Sequence, residues 1–182
     1  MLSRHRFMFV LILAIAFAPA AFAKEPPTLE EMKASGNKAL QEFKEQGPII
    51  QQYLDKAYGY AIFPVIGQGG FILGGGHGSG GMVYERGNLV GTATVTHISI
   101  GAQIGGQKFR QLIFIEDKAT MDRFKQGKIE LDADASAVMA QAGTSTGANF
   151  TGGMAIFTKP VAGAMAKATV GTQILNFTPL GQ

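Results

Sequence analysis

The chain has 182 residues, 25 of them glycine, with no cysteine and no tryptophan. Without cysteine a disulfide scaffold is excluded, so stability must rest on an apolar core, and the length suits one domain. The formal charge of +3 does not mark a nucleic-acid binder, because Arg4 and Arg6 sit in a leader; without them fourteen basic residues face 13 acidic ones, far from a concentrated Lys/Arg face.

The leader comes first. Arg4, His5 and Arg6 precede the apolar run FMFVLILAIAFA and the small-residue site Ala21-Phe22-Ala23, the pattern of a secretory signal peptide cleaved after Ala23. The apolar run is shorter than the roughly 20 residues needed to span a bilayer. The expected address is therefore the periplasm, with residues 1–23 as signal peptide. Residues 24–47 form an amphipathic helix region: Thr28 and Glu31 make a capping box, and Leu29, Met32, Ala39, Leu40 and Phe43 recur at helical spacing up to Gly47-Pro48. Its polar face mixes Glu30, Lys33, Lys38, Glu42, Lys44 and Glu45, which favours core packing over lipid contact. A second helix is predicted from about Pro48 to Ala57, with Pro48 in its first turn.

Residues 61–106 hold fourteen glycines, separated by the strand-forming runs AIFPVI, FIL, MVY, TATVT and ISIGAQI. Glycine at this density marks bends, bulges and close backbone approach, so the segment reads as a curved antiparallel sheet. Gly74, Gly75 and Gly76 are expected to lie where two backbones approach, so that Gly75→Ala destabilises by more than about 1 kcal/mol. Around Thr96 and His97 the polar residues change from even to odd positions, which predicts a bulge or bend there. Leu112-Ile-Phe-Ile115 reads as a central strand. Asp117 then caps a helix carrying Met121 and Phe124 that stops at Gly127, Ile129-Glu-Leu131 is a short strand, and Asp134 caps a further helix. The tail segments GGMAIFTK, VAGAMAKATV and TQILNF read as closing strands, although VAGAMAKA is also compatible with helix by composition and Gly163 and Gly171 only tilt it toward strand. The fold class is α+β, with N-terminal helices packed on a curved, glycine-rich antiparallel sheet or partial barrel.

Catalytic constellations are scarce. Gly76, Gly78 and Gly81 spell G-x-G-x-x-G, but MVYERGN follows where a dinucleotide site needs a helix. His77 and His97 lack the further His or Cys of a zinc site. Asp132, Asp134 and Ser136 imitate the start of a calcium loop, which Ala137 and Gly143 then break. No nucleophile elbow is present. The chain is read as no enzyme, with no catalytic residues, metal or cofactor.

One succession of motifs is more specific. Ala61-Ile-Phe63-Pro64, Gly67-Gln-Gly69-Gly70-Phe71-Ile-Leu-Gly74-Gly75-Gly76 and Gly78-Ser-Gly-Gly81 are followed by Ser99-Ile-Gly-Ala-Gln-Ile-Gly-Gly-Gln107, Phe124-x-x-Gly127-Lys and Leu131-x-Ala-Asp134-Ala-Ser-Ala137. This resembles the SYLF, or Ysc84, domain family over most of the mature chain, with residues 48–182 as the SYLF-like domain. It departs in having Gln68 where members often carry Lys. The resemblance implies a non-enzymatic module that binds phosphoinositides or other anionic lipids and, in eukaryotic members, actin filaments. For an exported chain the expected partner is an anionic lipid or membrane surface of the cell envelope, with no actin and no nucleic acid. The candidate lipid contacts are Lys108, Arg110, Arg123, Lys125 and Lys128. The alternative is a protein-interaction or structural module that docks an envelope partner without lipid.

Overall fold

The structure, a computed structural model, describes residues 26–70, 73–127, 130–132 and 150–181; the side chains of residues 73, 74, 99–104, 130–132 and 163–171 are not among those described. The proposed leader, Phe71, Lys128, Ile129 and the helix at Asp134 lie outside the described residues.

Helix α1 (Leu29–Lys44) begins as its sequence demands: the Thr28 hydroxyl accepts from the Glu31 amide, while the Glu31 carboxylate accepts from the Thr28 amide. Helix α2 (Pro48–Lys56) has proline in its first turn. Strands β1 (Gly59–Gly70) and β2 (Leu73–Glu85) form a hairpin. Then comes β3 (Asn88–Ile115), 28 residues long. Helix α3 (Lys118–Lys125) is capped by the Asp117 carboxylate, which accepts from the Thr120 amide at 2.7 Å. Strand β4 (Glu130–Asp132) and β5 (Met154–Pro179) complete the order.

The sheet follows from the length of β3. Its first arm pairs with β2, from Glu85↔Asn88 to Leu73↔Ile100, and its second arm with β1, from Gly70↔Gly105 to Gly59↔Ile115. The hairpin therefore lies between the two arms of one strand. Strand β5 follows β3 from Gly91↔Pro179 to Ile115↔Met154, and β4 edges β5 at residues 172–174. With β3 and β5 each serving twice, the five strands supply seven antiparallel segments in a sheet that does not close. Leu112-Ile-Phe-Ile115 is thus the end of β3, and the three tail segments are one strand. Pairing along both arms lets glycine-rich stretches that look like interruptions continue as β-structure. The G-x-G-x-x-G window falls inside β2, so it has no helix amides to offer a phosphate.

The predicted defect at Thr96 and His97 is absent: β3 keeps its register there. Apart from Val90 of β3 itself, which has no opposite between Val83↔Gly91 and Tyr84↔Leu89, the extra residues stand on its partners. Pro64 and Val65 of β1 together oppose Arg110, Ser79 and Gly80 of β2 oppose Thr94, and Val161 of β5 has no opposite between Lys108↔Ala162 and Phe109↔Pro160. Such bulges bend a strand and shift its side-chain phase by one. Hence Ala61 and Phe63 on β1 share a core with Ile66, and Met154 and Ile156 on β5 share it with Leu175. We call the part of the sheet that includes the chain ends of β3 the near half, and the part beyond these bulges the far half.

Two cores result. The concave side holds Ala61, Phe63, Ile66, Val83, Val95, Phe109, Ile113 and Ile115, plugged by Met121 and Phe124 of α3. The convex side of the near half packs Ile62, Met82, Leu112, Phe114 and Phe157 against Ala39 and Phe43 of α1 and Ile50 and Tyr53 of α2. The apolar stripe of α1 is therefore buried against the sheet.

The polar phase change in β3 now has a different cause. His97 keeps the concave phase of Ala93 and Val95, its ring 5.6 Å from Phe109 on the opposite arm, while Ile98 is 49% exposed. The environment inverts, and the strand does not.

Candidate functional site

Buried carboxamides line part of the concave interior beside the apolar core. Gln68 and Gln111 are buried on the concave side; Gln107 donates to Gln68 at 3.2 Å, and Gln111, 1% exposed, donates to Gln173 at 3.2 Å. The second bond runs from one arm of the folded sheet to the strand beside the other, which requires strong curvature. Buried carboxamides persist only when paired, and these pair with one another.

At the bulges a charged cluster ties α1 to the sheet. Arg110 donates through Nε and Nη2 to the Glu42 carboxylate at 2.9 and 3.0 Å, and through Nη1 to the Pro64 carbonyl at 2.6 Å. A bulge frees a carbonyl from the ladder, and here the guanidinium satisfies it. Lys159 donates to the Glu42 carbonyl at 3.1 Å and stands 3.6 Å from its carboxylate. The Arg110 hydrogen bond holds the Glu42 carboxyl below its ordinary range. A second cluster sits at the hairpin end, where Lys125 and the Tyr58 hydroxyl both donate to Glu85. Its carboxyl is also held low, first by Lys125 and then by Tyr58.

The pH consequence has a definite sign. Both carboxyls are depressed in the folded chain, so their stabilisation is present above the ordinary glutamate value of 4.5 and is lost as pH falls through the lower folded values. Thermal midpoints measured from pH 7 down to pH 3 should fall through the acid window in the parent chain and fall less steeply in Glu42→Gln. Parallel curves would show that the Arg110 fork contributes no acid sensitivity.

The five cations named from sequence occupy different surroundings. Arg110 is engaged by Glu42 on the convex side, and Lys125 by Glu85. Lys108 and Arg123 are exposed, with Arg123 donating to the Thr120 hydroxyl at 3.1 Å. Because α3 plugs the concave core while Arg110 reaches α1, the pairs Lys108/Arg110 and Arg123/Lys125 belong to opposite faces of the sheet.

The motif residues divide similarly. Phe63 and Pro64 are buried. Gly67, Gly69, Gly70, Gly74 and Gly75 pair in the β1–β2 hairpin, whereas Phe71 and Asp134 lie outside the described residues. At Gly75 a Cβ would find only the His97 carbonyl at 3.9 Å, which corrects the expectation of a clash there. The close approach is next door: a Cβ on Gly76 would lie 2.9 Å from the Gly67 carbonyl.

Little here suits covalent chemistry. Tyr60 stacks on Tyr84 at 4.7 Å, and its hydroxyl is pushed up to about 12 by burial, then by Tyr84, so it stays protonated at neutral pH. His77 is exposed on β2 and His97 faces Phe109. Among the described residues no group of three or more His, Cys, Asp or Glu could hold a metal ion, and no helix is long and apolar enough to cross a membrane.

Two features outside the sequence-predicted site stand out. Val65, Ile98 and Val161, at 45, 49 and 45% exposure, are the exposed large apolar residues among those described. Acidic residues are also segregated: segments 59–84, 88–115 and 150–182 contain none. The second feature could have been read from sequence by plotting the two charge signs separately; the first needed the bulges.

Residues 96–176 match the family Ysc84, described as Las17-binding protein actin regulator. Beta cell expansion factor A from Aeromonas veronii is 31% identical over 115 residues, 63% of this chain and 43% of that protein. The chain thus aligns with under half the length of that curated relative. The Ysc84 match runs from the middle of β3 to near the end of β5, and over those residues the chain is similar to the Ysc84 (SYLF) domain family.

Proposed function

We propose that this is a non-enzymatic, exported protein of the periplasm that binds anionic lipid surfaces of the cell envelope. The observation that carries the reading is the charge segregation. Within the acid-free segments the charged side chains are Lys108, Arg110, Lys159 and Lys167; Glu42 of α1 engages Arg110 and Lys159, so among the described residues exposed Lys108 is the cation that the long strands offer without a carboxylate to repel an anionic surface. The family description names an actin regulator; an exported chain would meet lipid headgroups instead.

Co-sedimentation with vesicles tests this. The protein should pellet with phosphatidylglycerol-containing vesicles at low salt and much less with pure phosphatidylcholine. Each basic residue near an anionic surface contributes about 1 kcal/mol, and at about 1 M salt, where the Debye length is about 3 Å, binding should drop steeply. Failure to bind anionic vesicles at low salt would overturn the reading.

A further inference from the structure

Resting on that lipid reading, we infer that the protein docks face-on, through the convex surface where α1 borders the bulges of β1 and β5, with a lipid phosphate held between His77 and Lys108 and with Arg110 and Lys159 behind it. Helix α1 crosses the strands at this border: Gly36 packs over Ile62 and Met82, and further along Glu42 reaches Arg110 of β3 and Lys159 of β5. The core partners of α1 and α2 all lie on the near side of it.

One row of cross-strand partners defines the surface just beyond α1. Thr96, His77, Gly67, Lys108 and Ala162 stand side by side on the first arm of β3, β2, β1, the second arm of β3 and β5. Gln68 and Phe109, the next residues along β1 and β3, are buried on the concave side, so this row faces outward. His77 and Lys108 are exposed, and Gly67 between them is open: a Cβ there would meet nothing within 4 Å. With neighbouring strands about 4.8 Å apart, the backbones of His77 and Lys108 are separated by roughly 10 Å, which leaves room for one phosphate between two N–H donors.

Charge and apolar surface meet at this place. Arg110 follows Lys108 on the same face, opposite the Pro64 and Val65 bulge and beside Lys159. Lys38, one turn before Glu42, also acts on that carboxyl, after Arg110 and Lys159. Lys38, Lys108, Arg110 and Lys159 thus outweigh Glu42, even with Glu45 at the end of α1 counted beside it. Val65 and Val161, each 45% exposed, stand on the bulges at either side of these cations. Exposed valines alone are ordinary. Beside cations they match a surface that is anionic at phosphate depth and apolar beneath, which a free anion does not offer. On the other side of the sheet Ile66, Val95 and Phe109 pack the concave core, so the platform is backed by close-packed side chains.

The absence of tryptophan allows a clean readout from Val65→Trp and Val161→Trp, with Ala119→Trp on the exposed side of α3, across the sheet, as control. On mixing with phosphatidylglycerol/phosphatidylcholine vesicles, emission at both bulge positions should shift to the blue and become shielded from acrylamide, and the control should not change. In the chain without tryptophan, Lys108→Glu should lower vesicle partitioning by at least about tenfold and Gly67→Glu by about fivefold, the first reversing and the second adding one charge at an anionic surface. Both should still melt cooperatively, since neither position is packed against the fold. Arg123→Glu makes the same charge change on the α3 face and should stay within about twofold, because that face lies away from the lipid by more than a Debye length of about 10 Å. A missing shift at either bulge position, shielding of the control, or equal losses in Lys108→Glu and Arg123→Glu while the parent pellets overturns docking by this face and leaves the lipid reading standing. If the parent chain does not pellet with anionic vesicles at low salt, both fall.

Discussion

Phe114→Ala lowers the free energy of unfolding by about 3–5 kcal/mol, the range for deleting a fully buried aromatic side chain. Phe114 is completely buried on the convex side, stacked on Tyr53 of α2 at 5.2 Å and edge-on to Phe157 of β5 at 5.7 Å. It joins three elements: β3, which carries it, the neighbouring strand, and the helix above. Aromatic pairs add about 0.5–1.5 kcal/mol each beyond burial, and the residues around the cavity are held by the sheet ladder, so collapse is limited. Urea unfolding gives the loss as a lower midpoint at unchanged slope. The tyrosine near-ultraviolet dichroism of the folded variant should also weaken, since Tyr53 loses its stacking partner. A cost below about 1 kcal/mol would mean that α2 repacks onto Phe157 without it.

Gly81→Ala is the second large effect, at about 2–3 kcal/mol, near the upper end of ordinary overpacking. Gly81 follows the β2 bulge and faces the concave core, where an added Cβ would lie 2.4 Å from the Phe63 ring and 2.8 Å from the Ala93 carbonyl. The ring is itself fully buried and the carbonyl belongs to the adjacent strand, so neither can yield cheaply. Gly75→Ala supplies the contrast: it has ordinary extended backbone and the nearest atom is at 3.9 Å, so its midpoint should stay within about 0.5 kcal/mol of the parent. Thermal melts of the two variants side by side check the pair. Equal effects would show that the glycines act through chain entropy rather than through the space above them.

These two glycines show where sequence reading succeeds and stops. Glycine density marks the segment as tightly built, but one glycine cannot be told from the next, because what crowds a Cβ is a residue far along the chain. Phe63 sits over Gly81 only after the hairpin and bulges are formed. The cations behave alike: Arg110 and Lys125 are close in sequence, yet one is drawn to Glu42 on α1 and the other to Glu85 on β2. The helices were far more legible. Thr28 with Glu31, Pro48, and Asp117 with Thr120 are local capping chemistry, satisfied within one turn.

By itself the sequence determined the helix starts, the β-character of the glycine-rich stretch, the α+β class and the segregation of acids from the long strands, all of which depend on short-range stereochemistry or on composition. The tertiary structure decided which strands are continuous, where the sheet bends and which side of it is wet. Alternation along β3 says only that two faces differ. Their assignment came from bulges on β1, β2 and β5, each set by cross-strand register, and from α1 and α2 covering the convex face of one half while the other extends past them. Inside and outside are properties of the curved arrangement, so the exposed Ile98 and the buried Gln111 acquire their meaning only when the two arms of β3 are folded toward each other.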